Sequence, residues 1–228
     1  MSKTLKFARH PHPSPVPAGK RAQLLANPGF GRVFSDHMVT IKYSDAEGWH
    51  DARIEPRGPI SMDPAAAVLH YAQEIFEGLK AYKNADGSVT LFRPLENARR
   101  FNKSAERLAM PGLPEEVFLE ACDQLVSIDR DWIPDGDGSL YLRPFMFANE
   151  VFLGVKPSSD YLYLVIASSV GATASPAGFT IRAVGSPNRR AVGRSTIPMK
   201  PTSSESILNS TIRIRLSLKR RMHYWLSL

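Results

Sequence analysis

The sequence contains very little cysteine and no long apolar run. Cys122 is the single cysteine among 228 residues, which excludes an internal disulfide framework and a zinc site built from several cysteines. No stretch of 18 apolar residues occurs, and the longest apolar segment, residues 161–172, is too short to cross a bilayer. Residues 1–20 lack the apolar core of a secretory signal. These features predict a cytoplasmic protein with no membrane partner.

Short motifs that mark nucleotide-binding or catalytic sites are missing as well. The patterns GxGxxG, GxxxxGK[ST], HExxH and GxSxG do not occur. His10 and His12 form an HxH pair, but a stable metal site needs three or four ligands and no other ligand lies nearby in the sequence. We therefore expect no metal.

Acidic residues almost disappear from the last quarter of the chain. Residues 1–172 carry 19 basic and 21 acidic side chains, a net charge of −2. Residues 173–228 carry 10 basic side chains and one acid, Glu205, a net charge of +9. Such a break indicates a domain boundary, a tail or a change in how the sequence arose. The overall charge of +7 is therefore no evidence for a specific nucleic-acid partner.

Hydrophobic patterning predicts an α+β fold with three regions. Residues 1–28 hold five prolines and few apolar side chains, which predicts an extended arm. Residues 29–172 read as a small α+β domain, and residues 173–228 as an irregular basic tail rich in Ser and Thr. Within the domain we predict six strands at 34–43, 49–55, 77–83, 88–92, 139–147 and 161–168, with helices from 94 to about 110 and from 114 to 131.

Apolar spacing also predicts which helix positions face the core. In the first helix these are Ala98, Phe101, Ala105 and Leu108. In the second they are Val117, Phe118, Ala121, Leu125 and Ile128. Cys122 lies on the same apolar stripe, so we expect a core residue rather than a reactive thiol.

A few residues stand out from this pattern, each with two interpretations. Gly78 interrupts an apolar strand, which indicates either a β-bulge or the close approach of another group. Arg99 and Arg100 lie off the apolar stripe of their helix, and either cover a solvated face or bind a phosphate or carboxylate. Tyr141 and Arg143 share one strand face, where the arginine either forms an internal salt bridge or captures a carboxylate.

Five segments in order together resemble the branched-chain amino acid aminotransferases, which are pyridoxal-phosphate enzymes of fold type IV. The segments are NPGFGRVFSDHM (27–38), HYAQEIFEGLKAY (70–82), LFRPLENARRFNKSAERLAMP (91–111), DRDWIPDGDGSLYLRPF (129–145) and LGVKPSSDYLYLVIASSVGA (153–172). The resemblance covers nearly all of residues 25–172.

The resemblance implies a reaction, a cofactor and a set of site residues. The family exchanges the amino group of Leu, Ile or Val with 2-oxoglutarate, using pyridoxal 5'-phosphate, so branched-chain amino acids and 2-oxo acids are the implied partners. Arg100 matches the arginine that binds the cofactor phosphate. Five residues match positions that line the substrate pocket: Phe30, Tyr71, Phe76, Tyr141 and Arg143. A homodimer is implied, because some of these residues serve the neighbouring subunit.

The sequence departs from the family after Ala172. The family's lysine that forms the Schiff base lies in a motif resembling K-x-G-G-N-Y-x-x-S, and no GGNY occurs here. Lys200 is a weak candidate for that lysine, because Pro201 and Thr202 follow it. We therefore hypothesise that residues 173–228 are a frameshifted or aberrant reading and that the chain is a truncated, inactive aminotransferase. Genomic DNA with no shifted frame encoding GGNY after codon 172 would contradict this.

Two other functions remain open from the sequence. One is another fold type IV enzyme, such as a D-amino acid aminotransferase or a lyase. The other is a non-catalytic binding protein whose basic tail contacts nucleic acid or acidic lipid. Retention on heparin that is lost on deletion of residues 173–228 would favour the second, although ten basic charges alone give only nonspecific attraction.

Overall fold

A computed structural model describes residues 5–171 of the chain. The helices are α1 (Ala18–Ala26), α2 (Ala67–Tyr71), α3 (Pro94–Arg107) and α4 (Glu115–Ile128), followed by a 3₁₀ turn at Arg130–Trp132. The strands are β1 (Ala8–Arg9), β2 (His37–Ser44), β3 (Gly48–Pro56), β4 (Glu74–Phe76), β5 (Leu79–Lys83), β6 (Val89–Leu91), β7 (Ser139–Ala148) and β8 (Asp160–Val170). None of the helices in this range has the length and apolar character needed to span a bilayer.

The strands form one sheet, in the order β1-β3-β2-β8-β7-β5-β6, with β4 also paired to β7. All pairs are antiparallel except β1 with β3. The strands predicted at 34–43 and 49–55 pair as the hairpin β2–β3, and those predicted at 77–83 and 88–92 pair as the hairpin β5–β6. Gly48 and Gly87 take positive φ values of 68° and 80° in their turns, a conformation that glycine adopts without steric cost. The α+β prediction is confirmed for the described residues.

Helices α3 and α4 cover one face of the sheet and form the core with it. Tyr163 of β8 contacts Phe101 of α3 and Phe118 of α4, with ring centroids 5.6 and 6.2 Å apart. Cys122 lies fully buried in α4, as predicted, and burial raises the pKa of its thiol well above the ordinary value. A thiol held neutral in this way is a packing group rather than a nucleophile.

The predicted helix faces agree with the structure except at the end of α3 and at the ends of α4. Leu108 follows the last residue of α3 and is only half-buried. Ala98, Phe101 and Ala105 are buried, as are Phe118, Ala121 and Leu125. Val117 and Ile128 are only half-buried, and Val126 takes a core position instead. The helix also ends at Ile128 rather than near 131, because the chain turns there into the 3₁₀ segment.

The prediction that residues 1–28 form an extended arm is wrong for part of that segment. Residues 18–26 form helix α1, and β1 pairs with β3. His37 fixes the segment between them: its Nε2 accepts the His12 N–H at 3.0 Å, which places the ring proton on Nδ1, 2.7 Å from Asp129. Leu24 and Leu25 pack against the core, so two apolar residues late in α1 outweigh the prolines before it.

Candidate active site

The segment from β4 through β5, which carries Gly78 between the two strands, alternates between the two faces of the sheet. Phe76 lies opposite Phe145 and Leu79 opposite Leu142, so the register against β7 continues across Glu77 and Gly78 without an inserted residue. This continuity excludes the β-bulge that the sequence left open. Because side chains alternate, four positions face α3 and are buried, namely Ile75, Glu77, Leu79 and Ala81.

The opposite face carries Phe76, Gly78 and Lys80 next to Tyr141 and Arg143 of β7. A Cβ on Gly78 would overlap the Tyr141 hydroxyl and would lie 2.9 Å from its Cζ. The close approach that the sequence offered as one alternative is therefore present, and the approaching group is Tyr141. Glycine at this position lets the phenol ring lie against the neighbouring strand.

Arg143 is held by Tyr141 and by an aromatic ring. Its Nε and Nη2 donate to the Tyr141 hydroxyl oxygen at 3.2 and 2.8 Å, and its Cζ lies 4.4 Å from the centroid of Phe76. Within residues 5–171 Arg143 takes part in no ion pair, so the internal salt bridge that the sequence left open as one alternative is not found there. The Tyr141 oxygen accepts both bonds, which leaves its proton free to be donated. Both side chains can donate hydrogen bonds to a carboxylate, and we call the pair the candidate carboxylate receptor.

Apolar rings border this receptor. Phe30 packs against Tyr141 with ring centroids 5.3 Å apart, and 48% of Phe30 and 61% of Phe76 are exposed. Tyr71 lies elsewhere, because its hydroxyl donates to the carbonyl of Leu153. The structure thus brings together Phe30, Phe76, Tyr141 and Arg143. Among the described residues, no hydrogen bond or ring pair joins Tyr71 to these four.

Arg100 lies on α3 and is paired with a buried carboxylate. Its Nε and Nη2 donate to the two oxygens of Glu77, each at 2.6 Å, and this bonding raises the pKa of Arg100 despite partial burial. The Glu77 side chain is 5% exposed, whereas that of Arg100 is 67% exposed. The inner fork of Arg100 is thus occupied, and its outer Nη1–Nη2 edge remains for an anion such as a phosphate.

Two residues near the site were missed by sequence reasoning. Glu77 is an acid at an inward strand position, and the alternation of Ile75, Leu79 and Ala81 around it was the signal that it needs a cation. Lys80 lies directly opposite Tyr141 on the receptor face, and adds a second positive charge there. Arg99, by contrast, pairs with Glu96 and Glu115 on the surface. Lys200 lies outside the described residues.

Curated proteins similar to this chain share one description. The chain is 58% identical over 164 residues to the probable branched-chain-amino-acid aminotransferase of Streptomyces coelicolor, covering 71% of this chain and 45% of the relative. It is 55% identical over 170 residues to the branched-chain-amino-acid aminotransferase of Mycolicibacterium smegmatis, covering 74% and 46%. The chain thus spans under half the length of these relatives. No family model matches the chain.

Among solved structures, a similar one is the T.th. branched-chain amino acid aminotransferase complexed with N-(5'-phosphopyridoxyl)-L-glutamate. It is 28% identical, with a TM-score of 0.43, and the match covers 56% of this chain and 40% of that chain. A TM-score of this size is low, and the relationship is carried by the sequence identities to the curated relatives.

Proposed function

We propose that this chain, whose matched portion belongs to the branched-chain aminotransferase family, carries the carboxylate- and phosphate-binding arginines of such an enzyme. The proposed reaction moves the amino group of Leu, Ile or Val to 2-oxoglutarate. The observation that carries the proposal is Arg143, which is bonded to the Tyr141 hydroxyl, lies over Phe76 and has no acidic partner in residues 5–171.

Both kinds of substrate fit this receptor for different reasons. The Phe30 and Phe76 rings offer apolar surface to the side chain of leucine, isoleucine or valine. The distal carboxylate of 2-oxoglutarate or glutamate gains nothing from apolar surface, but accepts hydrogen bonds from Arg143 and Tyr141. One site that combines apolar rings with a guanidinium can therefore receive both partners of the exchange. Tyr71 is proposed to line the same pocket on the strength of the resemblance alone.

Pyridoxal 5'-phosphate is the proposed cofactor, and the exposed outer edge of Arg100 fits its phosphate. When bound, the cofactor supplies the electron-withdrawing ring on which the amino group is exchanged. Among the described residues, the chain's own part is to bind: Arg100 holds the phosphate, while Arg143 and Tyr141 orient the substrate carboxylate. The lysine motif of the family is not in the sequence, so we expect the chain alone to have little or no turnover.

A binding measurement tests the receptor without turnover. We expect glutarate, an unreactive analogue of 2-oxoglutarate, to bind about ten- to hundredfold more weakly to the Arg143→Gln variant, because a charge-assisted hydrogen bond contributes about 1.5–3 kcal/mol. Heteronuclear NMR titration measures this. Arg107→Gln, which removes an exposed arginine at the end of α3, is the matched control and should leave the affinity unchanged. Equal affinities of wild type and Arg143→Gln would refute the receptor.

A homodimer is proposed as well. The segment after β7 exposes four large apolar side chains, with exposures of 60%, 41%, 62% and 63% for Val151, Phe152, Leu153 and Val155. Contiguous apolar surface of this kind is typical of protein contacts. Sedimentation velocity would measure the association, and a monomer at all concentrations would contradict it.

The remaining parts of the interpretation are the division of the chain, the origin of its last region and the cellular location. The division into 1–28, 29–172 and 173–228 is a proposal, as is the aberrant origin of the last region. The alternative of a binding protein with a basic tail depends on the same residues. A cytoplasmic location is likewise a proposal, supported by the single cysteine and testable by cell fractionation.

A further inference from the structure

One buried carboxylate occupies an inward position on the segment from β4 through β5, whose other inward side chains are apolar. Glu77 faces α3 in the same row as Ile75 and Leu79, and each of these three residues is at most 5% exposed. An apolar residue at such a position is often as stable as a buried ion pair or more so. Stability of the fold alone is therefore a poor explanation for the acid.

The contacts of Glu77 are directed at one side chain. Its two oxygens accept Arg100 Nε and Nη2 at 2.6 Å each, and Oε2 also accepts Asn97 Nδ2 at 2.9 Å. Asn97 and Arg100 lie one turn apart on α3, so both reach the same carboxylate. Asn97 additionally bonds the Gly78 carbonyl at 3.2 Å, which limits rotation of the amide. Asn97 therefore restrains the Glu77 carboxylate independently of Arg100, and the carboxylate in turn restrains the guanidinium.

The pairing leaves one edge of the guanidinium available. A guanidinium has five N–H donors, and Glu77 takes one from Nε and one from Nη2. Of the three others, one on Nη1 and one on Nη2 point along the Nη1–Nη2 edge, in a side chain that is 67% exposed. An exposed arginine normally loses rotamer freedom when it binds an anion, whereas this one is already held.

We propose that Glu77 is a positioning residue, which holds Arg100 so that its outer edge meets a phosphate monoester. The inference rests on the proposed function in its choice of ligand. The alternation of side chains along residues 74–83 then determines the positions of both Arg100 and Arg143. The outward residues Phe76 and Gly78 place Arg143 and Tyr141, and the inward residue Glu77 places Arg100.

The Glu77→Gln variant distinguishes positioning from simple charge. Removal of a negative charge beside Arg100 should strengthen phosphate binding if only Coulomb attraction matters. Positioning requires the opposite, because glutamine presents an N–H₂ group to one of the two arginine donors. We expect the full chain to bind pyridoxine 5'-phosphate about fivefold more weakly after Glu77→Gln. This probe lacks an aldehyde and does not react with lysine amines.

The matched control is Glu96→Gln, which removes the exposed partner of the adjacent Arg99 and should leave the affinity for pyridoxine 5'-phosphate unchanged. Pyridoxine without phosphate is the control ligand and should bind all variants equally. If Glu77→Gln fails to fold, Asn97→Ala keeps the charge, loosens the carboxylate and should weaken the same affinity about twofold. The Arg100 Nε–H resonance in ¹⁵N NMR should exchange slowly in wild type and Glu96→Gln, and rapidly in Glu77→Gln.

The outcomes separate the inference from the proposed function. A wild-type chain that prefers the phosphate ester, together with a Glu77→Gln variant of equal or higher preference, overturns the positioning role alone. A slowly exchanging Arg100 Nε–H in a wild-type chain that does not prefer the ester overturns both the positioning role and the phosphate role of Arg100. A rapidly exchanging Arg100 Nε–H in the wild-type chain would show that Glu77 does not hold Arg100 at all.

Discussion

Phe101→Ala is expected to destabilise the chain by about 3–5 kcal/mol, the range for truncation of a buried phenylalanine. Phe101 is 1% exposed and contacts Phe118 and Tyr163, with both ring centroids 5.6 Å away. It therefore joins α3, α4 and β8 at one point. Truncation removes the apolar contacts of the ring and leaves a cavity. The cavity persists because α3, α4 and β8 cannot all move inward to fill it.

Urea unfolding followed by tryptophan fluorescence measures this change, since Trp132 is buried at 2% exposure and reports on the core. Phe92→Ala is the matched control, because Phe92 is 74% exposed and its truncation should change the free energy of unfolding by at most about 0.5 kcal/mol. Similar losses for the two variants would mean that α3 does not pack on the sheet as described.

Gly78→Ala is expected to destabilise the chain by about 1–3 kcal/mol, the range for forcing an extra carbon into a filled space. The new Cβ would overlap the Tyr141 hydroxyl. The phenol cannot move freely, because it accepts two hydrogen bonds from Arg143 and packs against Phe30. The substitution should therefore also weaken glutarate binding, by displacing the hydroxyl from the receptor.

A double-mutant cycle tests whether the Tyr141 ring causes the destabilisation by Gly78→Ala. In a Tyr141→Ala background the obstruction is gone, so Gly78→Ala should be neutral or stabilising by roughly 0.5 kcal/mol, as for glycine replacement in an ordinary strand. Gly58→Ala serves as the control, since no atom lies within 4 Å of a Cβ built there. A Gly78→Ala cost that persists without the Tyr141 ring would show that the close approach is not its cause.

Local patterns predicted most of the helices and strands because the described domain is built from regular alternation. The stripe of Ala98, Phe101 and Ala105 has helical spacing, and its members are buried as that spacing requires. The two turns at Gly48 and Gly87 follow from residue types that tolerate positive φ. Helix α1 was missed because its stability depends on Leu24 and Leu25 meeting a core formed by later residues.

The site was predicted less completely because it depends on pairings across the fold. Arg99 and Arg100 are adjacent and chemically identical, yet one meets surface acids and the other a buried acid 23 residues earlier. Tyr141 and Arg143 were placed together by strand alternation alone. Tyr71 shares a sequence segment with Phe76, but the helix α2 that contains it directs its hydroxyl to Leu153.

The proposed function is tested most directly by replacing the matched segment of the Streptomyces coelicolor relative, 164 residues long, with the corresponding residues of this chain. The measurement is glutamate formation from leucine and 2-oxoglutarate in the presence of pyridoxal 5'-phosphate. We predict turnover by the chimera, at least tenfold lower kcat/KM for 2-oxoglutarate with Arg143→Gln, and little or no turnover by this chain alone. A chimera that folds and binds pyridoxal 5'-phosphate but forms no glutamate would contradict the proposed function.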